Sequence, residues 1–97
     1  MSLEERKADS RQRIRQALDA AFGVYIGQEP KRGDSWRDWT YGQLYAHLRH
    51  EIEEIKRSEN AERQYHNCLD VIGEAAILAA HVMLREEEKH RNKPAKI

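Results

Sequence analysis

The sequence predicts an all-α fold, a helical bundle built around a long α-hairpin, and three observations predict it. Apolar residues recur at three- and four-residue spacing in three separate stretches. Thr40 followed by Gln43 has the spacing of a capping box, immediately ahead of the second stretch. Glycine and proline gather between the first and second stretches instead of punctuating short alternating runs, so nothing reads as a strand or hairpin.

Taken in order, residues 1–22 carry Ile14, Ala17, Leu18, Ala21 and Phe22 among charged neighbours, the pattern of an amphipathic helix packed along one stripe. Residues 23–39, with three glycines and a proline, predict a loop. A second helix over 40–57 begins at Thr40, with Trp39 and Leu44 at the spacing of a hydrophobic staple. Its expected core stripe is Tyr41, Leu44, Tyr45, Leu48, Ile52 and Ile55. A third helix over 60–91, capped by Ser58 or Asn60, places Tyr65, Cys68, Leu69, Ile72, Ala76, Ala79 and Met83 on its expected core stripe, with Cys68 as a buried thiol. From Val71 to Leu84 its other faces turn apolar as well, more than three short helices can cover. Packing against a second copy is therefore expected, as a homodimer or homotetramer. Residues 92–97 form a charged tail after which Pro94 stops any helix.

Ninety-seven residues form a single domain over 1–97 and exclude a second core. Seventeen basic against seventeen acidic residues remove the positive field that concentrates nucleic acid, so no nucleic-acid partner is expected. The single Cys68 rules out an intramolecular disulfide and suits a reducing, cytoplasmic setting. The longest uninterrupted apolar run, 75–80, falls short of the roughly 20 residues that cross a bilayer, so no membrane is expected either.

Acidic residues stand where chemistry is plausible. His47, Glu51 and Glu54 run at i, i+4 and i+7 beside the apolar stripe of the second helix. Asn67, Asp70, Glu74 and His81 fall in one narrow sector of the third, almost its only polar side chains between Cys68 and Leu84. In an antiparallel hairpin Glu51 and Glu54 approach Asp70 and Glu74, and four carboxylates in one cleft repel unless a divalent cation neutralises them. Oxygen ligands suit Mg²⁺ or Mn²⁺. Two ordinary readings stand beside this one: the acids pair with His47, Lys56 or Arg57, or the third helix simply has one wet face.

The run LRHEIEEIKRS, a short gap and then HNCLDVIGEAAILAAHVMLR resemble the MazG-like all-α nucleoside triphosphate pyrophosphohydrolase superfamily, whose Glu-Glu-x-x-Glu motif is followed by Glu-x-x-Asp on the next helix. The likeness spans roughly Trp36 to Leu84. Glu51 and Glu54 match the second and third acids of the first motif, and Asp70 the aspartate of the second. The resemblance implies an oligomeric helical fold, Mg²⁺ held by these carboxylates, and hydrolysis of a nucleoside triphosphate to the monophosphate and pyrophosphate. It implies Glu51, Glu54 and Asp70 as metal ligands and catalytic residues, with Glu74 as a further ligand or water-orienting base.

His50 and Asn67 stand where the family has glutamates, so the chain departs from the pattern at two acids. His47, His50 and Asn67 are thereby secondary candidates, and a degenerate homologue serving as a helical structural or interaction module is the alternative reading. Phosphate or base contacts are expected from Lys31, Arg32, Trp36 and Arg37 in the loop, and from Arg85 and Lys89 late in the third helix, with Arg91, Asn92 and Lys93 beyond them.

Overall fold

The computed structural model describes residues 1–91, and the tail 92–97, with Asn92, Lys93 and Pro94, lies outside them. Its elements are α1 (Leu3–Arg32), a 3-10 turn (Ser35–Asp38), α2 (Tyr41–Lys56) and α3 (Ala61–Arg91), and no strand occurs among the described residues. The fold is an all-α three-helix bundle in which α2 and α1 both pack on α3.

α1 is the element that differs most from the sequence expectation. A capping box starts it, with Ser2 Oγ accepting from the Glu5 amide at 3.1 Å and Glu5 facing the Ser2 amide. It then runs ten residues past Phe22, through Gly23, Gly27 and Pro30, where a loop over 23–39 was expected. By propensity two glycines and a proline oppose a helix by about 5 kcal/mol relative to alanine. The spacing of these residues explains why it persists. At about 100° per residue Gly23, Gly27 and Pro30 share one face, and all three are exposed. Ala21, Tyr25, Gln28 and Arg32 occupy the opposite face and line clefts against α2 and α3. Pro30 sits in the last turn, where little helix remains for its ring to disrupt. Gly33 ends the helix at φ +54°, a left-handed value that suits glycine, and its amide donates to the Glu29 carbonyl at 2.8 Å.

α2 begins where the capping box requires. Thr40 Oγ1 accepts from the Gln43 amide at 3.1 Å and the Gln43 side chain accepts from the Thr40 amide at 2.9 Å. Asn60 caps α3, its Oδ1 accepting from the Arg63 amide at 2.9 Å. Ser58 instead turns back, its hydroxyl donating to the Glu54 carbonyl. The short connection makes α2 and α3 antiparallel neighbours. The pairing is explicit: Trp39, just ahead of α2, meets His81, His47 meets Glu74, and Glu54 meets Asn67, so seven or eight residues forward along the chain are matched by seven back along α3.

The apolar faces are not where the stripe analysis puts the core. Among the described residues only Ala21, Leu44 and Leu69 are buried hydrophobics, while Tyr41, Tyr45, Ile52, Tyr65 and Met83 of the expected core stripes are exposed. Cys68, Ala76 and Ala79 are exposed too, which corrects the expectation of a buried thiol. In α3 the polar sector Asn67, Asp70, Glu74 and His81 turns toward the hairpin, Leu69, Gly73, Ile77 and Ala80 line clefts against α1, and Cys68, Ala75, Ala79, Val82 and Met83 turn outward. Pattern alone identifies a side to be covered without specifying what covers it. On α1, Ile14, Leu18, Phe22 and Ile26 form an exposed ridge at four-residue spacing. The radius of gyration is 17.5 Å, against about 12.5 Å for a compact chain of this length. By length and composition α3 is also sufficient to cross a membrane, with an 18-residue window of mean hydropathy 1.5. The expectation from its longest uninterrupted run did not register this, because isolated polar residues break the run while leaving the average high.

Candidate functional site

The hairpin brings His47 and Glu51 of α2, Asp70 and Glu74 of α3 and Arg32 of α1 to one cleft of about 110 Å³, walled by Ala21, Val24, Leu69 and Ile77. His47 Nδ1 lies 3.0 Å from Glu74 Oε2, and His47 Nε2 lies 3.9 Å from Glu51 Oε1. The imidazole thus bridges the acids of two helices. Burial pushes the Asp70 carboxyl above the usual carboxylate range, and the nearby Glu74 charge pushes it further, while His66 and Arg32 pull it back. A proton is therefore held more firmly at Asp70 than on a solvated aspartate.

Of the four acids expected to act together, Glu51, Asp70 and Glu74 share this cleft. Glu54 does not line it: its Oε1 lies 3.6 Å from His50 Nε2 and 3.6 Å from Arg57 Nη1, on the outer side of α2. Asn67 is committed elsewhere, its Nδ2 donating to the Glu54 carbonyl at 3.2 Å and to Ser58 Oγ at 2.7 Å. It seals the end of the hairpin. Among the described residues no group of three or more His, Cys, Asp or Glu side chains is gathered closely enough to hold a metal ion. Oxygen ligands of the kind that suit Mg²⁺ or Mn²⁺ are present, with Glu74 held against His47 and Glu54 set against His50 and Arg57.

The expected phosphate and base contacts are dispersed. Lys31 is exposed in the last turn of α1, and Arg32 reaches the acid cleft. Lys89 lies nineteen residues along α3 from Asp70, about 28 Å at 1.5 Å per residue. Trp36 packs the turn to α1, its Nε1 donating to the Tyr25 hydroxyl at 3.1 Å. Arg37 and Arg85 meet each other in an unexpected way: Arg85 Nη2 donates to the Arg37 carbonyl at 2.8 Å, while its Nη1 donates to Glu88 at 2.8 Å.

The residue that sequence reasoning undervalued is His81. It is 4% exposed, the one buried polar residue among those described. Its Nε2 donates to the Trp39 carbonyl at 2.9 Å, because a carbonyl oxygen only accepts. Arg85 Nε lies 3.3 Å from the same nitrogen, a contact that is not a hydrogen bond while that nitrogen carries the proton. His81 and Arg85 together pin the segment between the 3-10 turn and α2 to α3. The only signal in the sequence was a histidine isolated in an apolar run.

Compared with protein families, with characterised proteins and with solved structures, the chain has no match.

Proposed function

We propose that this chain is a self-associating helical subunit of MazG-like ancestry whose acidic site has become structural. The observation that carries the proposal is the chain's large exposed surface, on which Tyr65, Val82 and Met83 of α3 stand open. The chain exposes 8119 Å², about 2,300 Å² more than a compact monomer of its mass. Two chains that each covered most of that excess would share an interface in the range of obligate dimers, roughly 2,000 to 5,000 Å² in total. The outward sector of α3 suits a copy of itself. Ala75 and Ala79 permit close helix approach, and Val82 and Met83 supply side chains to interdigitate. The residues carry no charge, so a two-fold axis sets no like charges against each other.

The test is sedimentation velocity and light scattering between 5 and 200 μM. A mass of two or more times 11.4 kDa is expected, and Ala79→Glu should lower it toward one. A monomer throughout that range overturns the proposal, as does flotation of the chain with neutral lipid vesicles in place of self-association.

A second reading is favoured by one observation, the convergence of Glu51, Asp70 and Glu74 on a single cleft. On that reading the chain is a Mg²⁺-dependent nucleoside triphosphate pyrophosphohydrolase, as the sequence resemblance implies. Pyrophosphate release from a panel of nucleoside triphosphates, together with thermal stabilisation by Mg²⁺ or Mn²⁺, would support it. Neither signal in the wild-type chain would leave the structural reading alone.

A further inference from the structure

A second cavity, of about 310 Å³, lies between the C-terminal end of α1, the 3-10 turn and the hairpin. Its size is that of a small-ligand site. Tyr25, Trp36 and Trp39 line it, with Glu29 and Arg32 at the end of α1.

Three fasteners hold the indole-bearing segment in place, one from α1 and two from α3. Tyr25 accepts from Trp36 Nε1, the buried His81 donates to the Trp39 carbonyl, and Arg85 donates to the Arg37 carbonyl. A segment held this way forms a preorganised wall. Since the Trp36 N–H is already spent on Tyr25, this indole offers a ligand its π surface and no donor. A π surface attracts positive charge.

The electrostatics point the same way. Glu29 makes no ion pair among the described residues. Glu74 shares its charge with His47. Gly33, just past the end of α1, also lines the cavity, so the last carbonyls of that helix add the negative pole of its dipole. The one guanidinium on the lining, Arg32, also borders the acid cleft, where its charge acts on Asp70.

We propose that this cavity binds a small organic cation, a quaternary or alkyl ammonium group, between the indoles of Trp36 and Trp39 with Glu29 as counter-charge. The proposal stands apart from the association reading, since the cavity lies within one chain.

The test uses intrinsic fluorescence of the full chain. Both of its tryptophans line the cavity, so the signal is local. Titration with choline should give a saturable change, and 3,3-dimethylbutan-1-ol, its neutral isostere, should bind about tenfold more weakly. Glu29 is exposed, so Glu29→Gln leaves the helix intact by circular dichroism and should weaken choline about fivefold or more. Equal binding of the alcohol and choline overturns the proposal, because the cavity would then be merely apolar. So does an absence of saturable change, an unaltered choline affinity in Glu29→Gln, or binding of adenosine monophosphate in place of choline.

Discussion

Exchanging His81 for methionine tests whether the buried imidazole fastens α3 to the start of α2. Methionine and glutamine are close in shape, and glutamine alone keeps an N–H donor near the position of Nε2. In His81→Met the Trp39 carbonyl loses the donor now 2.9 Å away. The bond is part-buried, and losing it with a stranded acceptor costs about 2 kcal/mol. Burying a thioether in place of an imidazole returns about 1 kcal/mol. The net loss of about 1 kcal/mol corresponds to a fall of about 4 to 8 °C in Tm for a domain of this size. His81→Gln should stay within about 2 °C of wild type. The assay is thermal denaturation by circular dichroism at one fixed protein concentration, with tryptophan emission recorded before heating. His81→Met should also shift emission to the red as Trp39 gains water, while His81→Gln should not. If the two variants lose equal stability and emit alike, the hydrogen bond contributes nothing and the fastening argument fails.

Three further outcomes follow from the geometry. Gly27 lies inside α1, and a Cβ built there meets nothing within 4 Å; Gly27→Ala should raise stability by about 0.5 to 1 kcal/mol in urea titrations. Asp70→Asn should raise Tm at pH 7.5. Because the folded pKa of Asp70 lies above its unfolded value, its ionised form opposes folding at neutral pH, and that penalty disappears as pH falls below the usual carboxylate range. The gain over wild type should therefore shrink between pH 7 and pH 4, and a gain independent of pH would refute the assignment. Asn67→Glu introduces the acid that the proposed MazG-like ancestry calls for, loses both bonds donated by Nδ2 and should destabilise by about 1 to 3 kcal/mol. Mg²⁺ should recover part of that loss in the variant while leaving wild type unmoved, as thermal melts with and without the ion will report.

What the sequence revealed about the fold depended on whether the signal was local. The start of α2 was legible because Thr40 and Gln43 satisfy each other's backbone within one turn. The antiparallel approach of Glu51 to Asp70 and Glu74 followed from helical period and a short connection. The length of α1 was not legible, because Gly23, Gly27 and Pro30 look like breakers until the contacts on the opposite face are known. The orientation of α3 was not legible for a related reason. Its apolar sector is broader than its polar one, and period analysis assigns the interior to the broader face. In this chain Asn67 and Glu74 find specific partners on α2 and His81 one at Trp39 just ahead of it, and that fixes which side turns inward. The positions of the candidate acids divided accordingly: Glu54 was expected to approach Asp70 and Glu74, yet its Oε1 lies 3.6 Å from His50 Nε2 and 3.6 Å from Arg57 Nη1, close by in its own stretch of chain.

The first half of α1 has a kinetic meaning. Residues 3–16 are exposed except for a half-covered Asp9, and an isolated helix of about fourteen residues is only marginally stable in water. Their amides should open and exchange within the fastest class, while those around Leu69 and His81, buried where α3 meets its neighbours, should open only with the whole bundle. Hydrogen exchange would then act as a clock with two hands: protection that grows around Ala79 as concentration rises records a second chain on α3, while residues 3–16 stay in the fastest class.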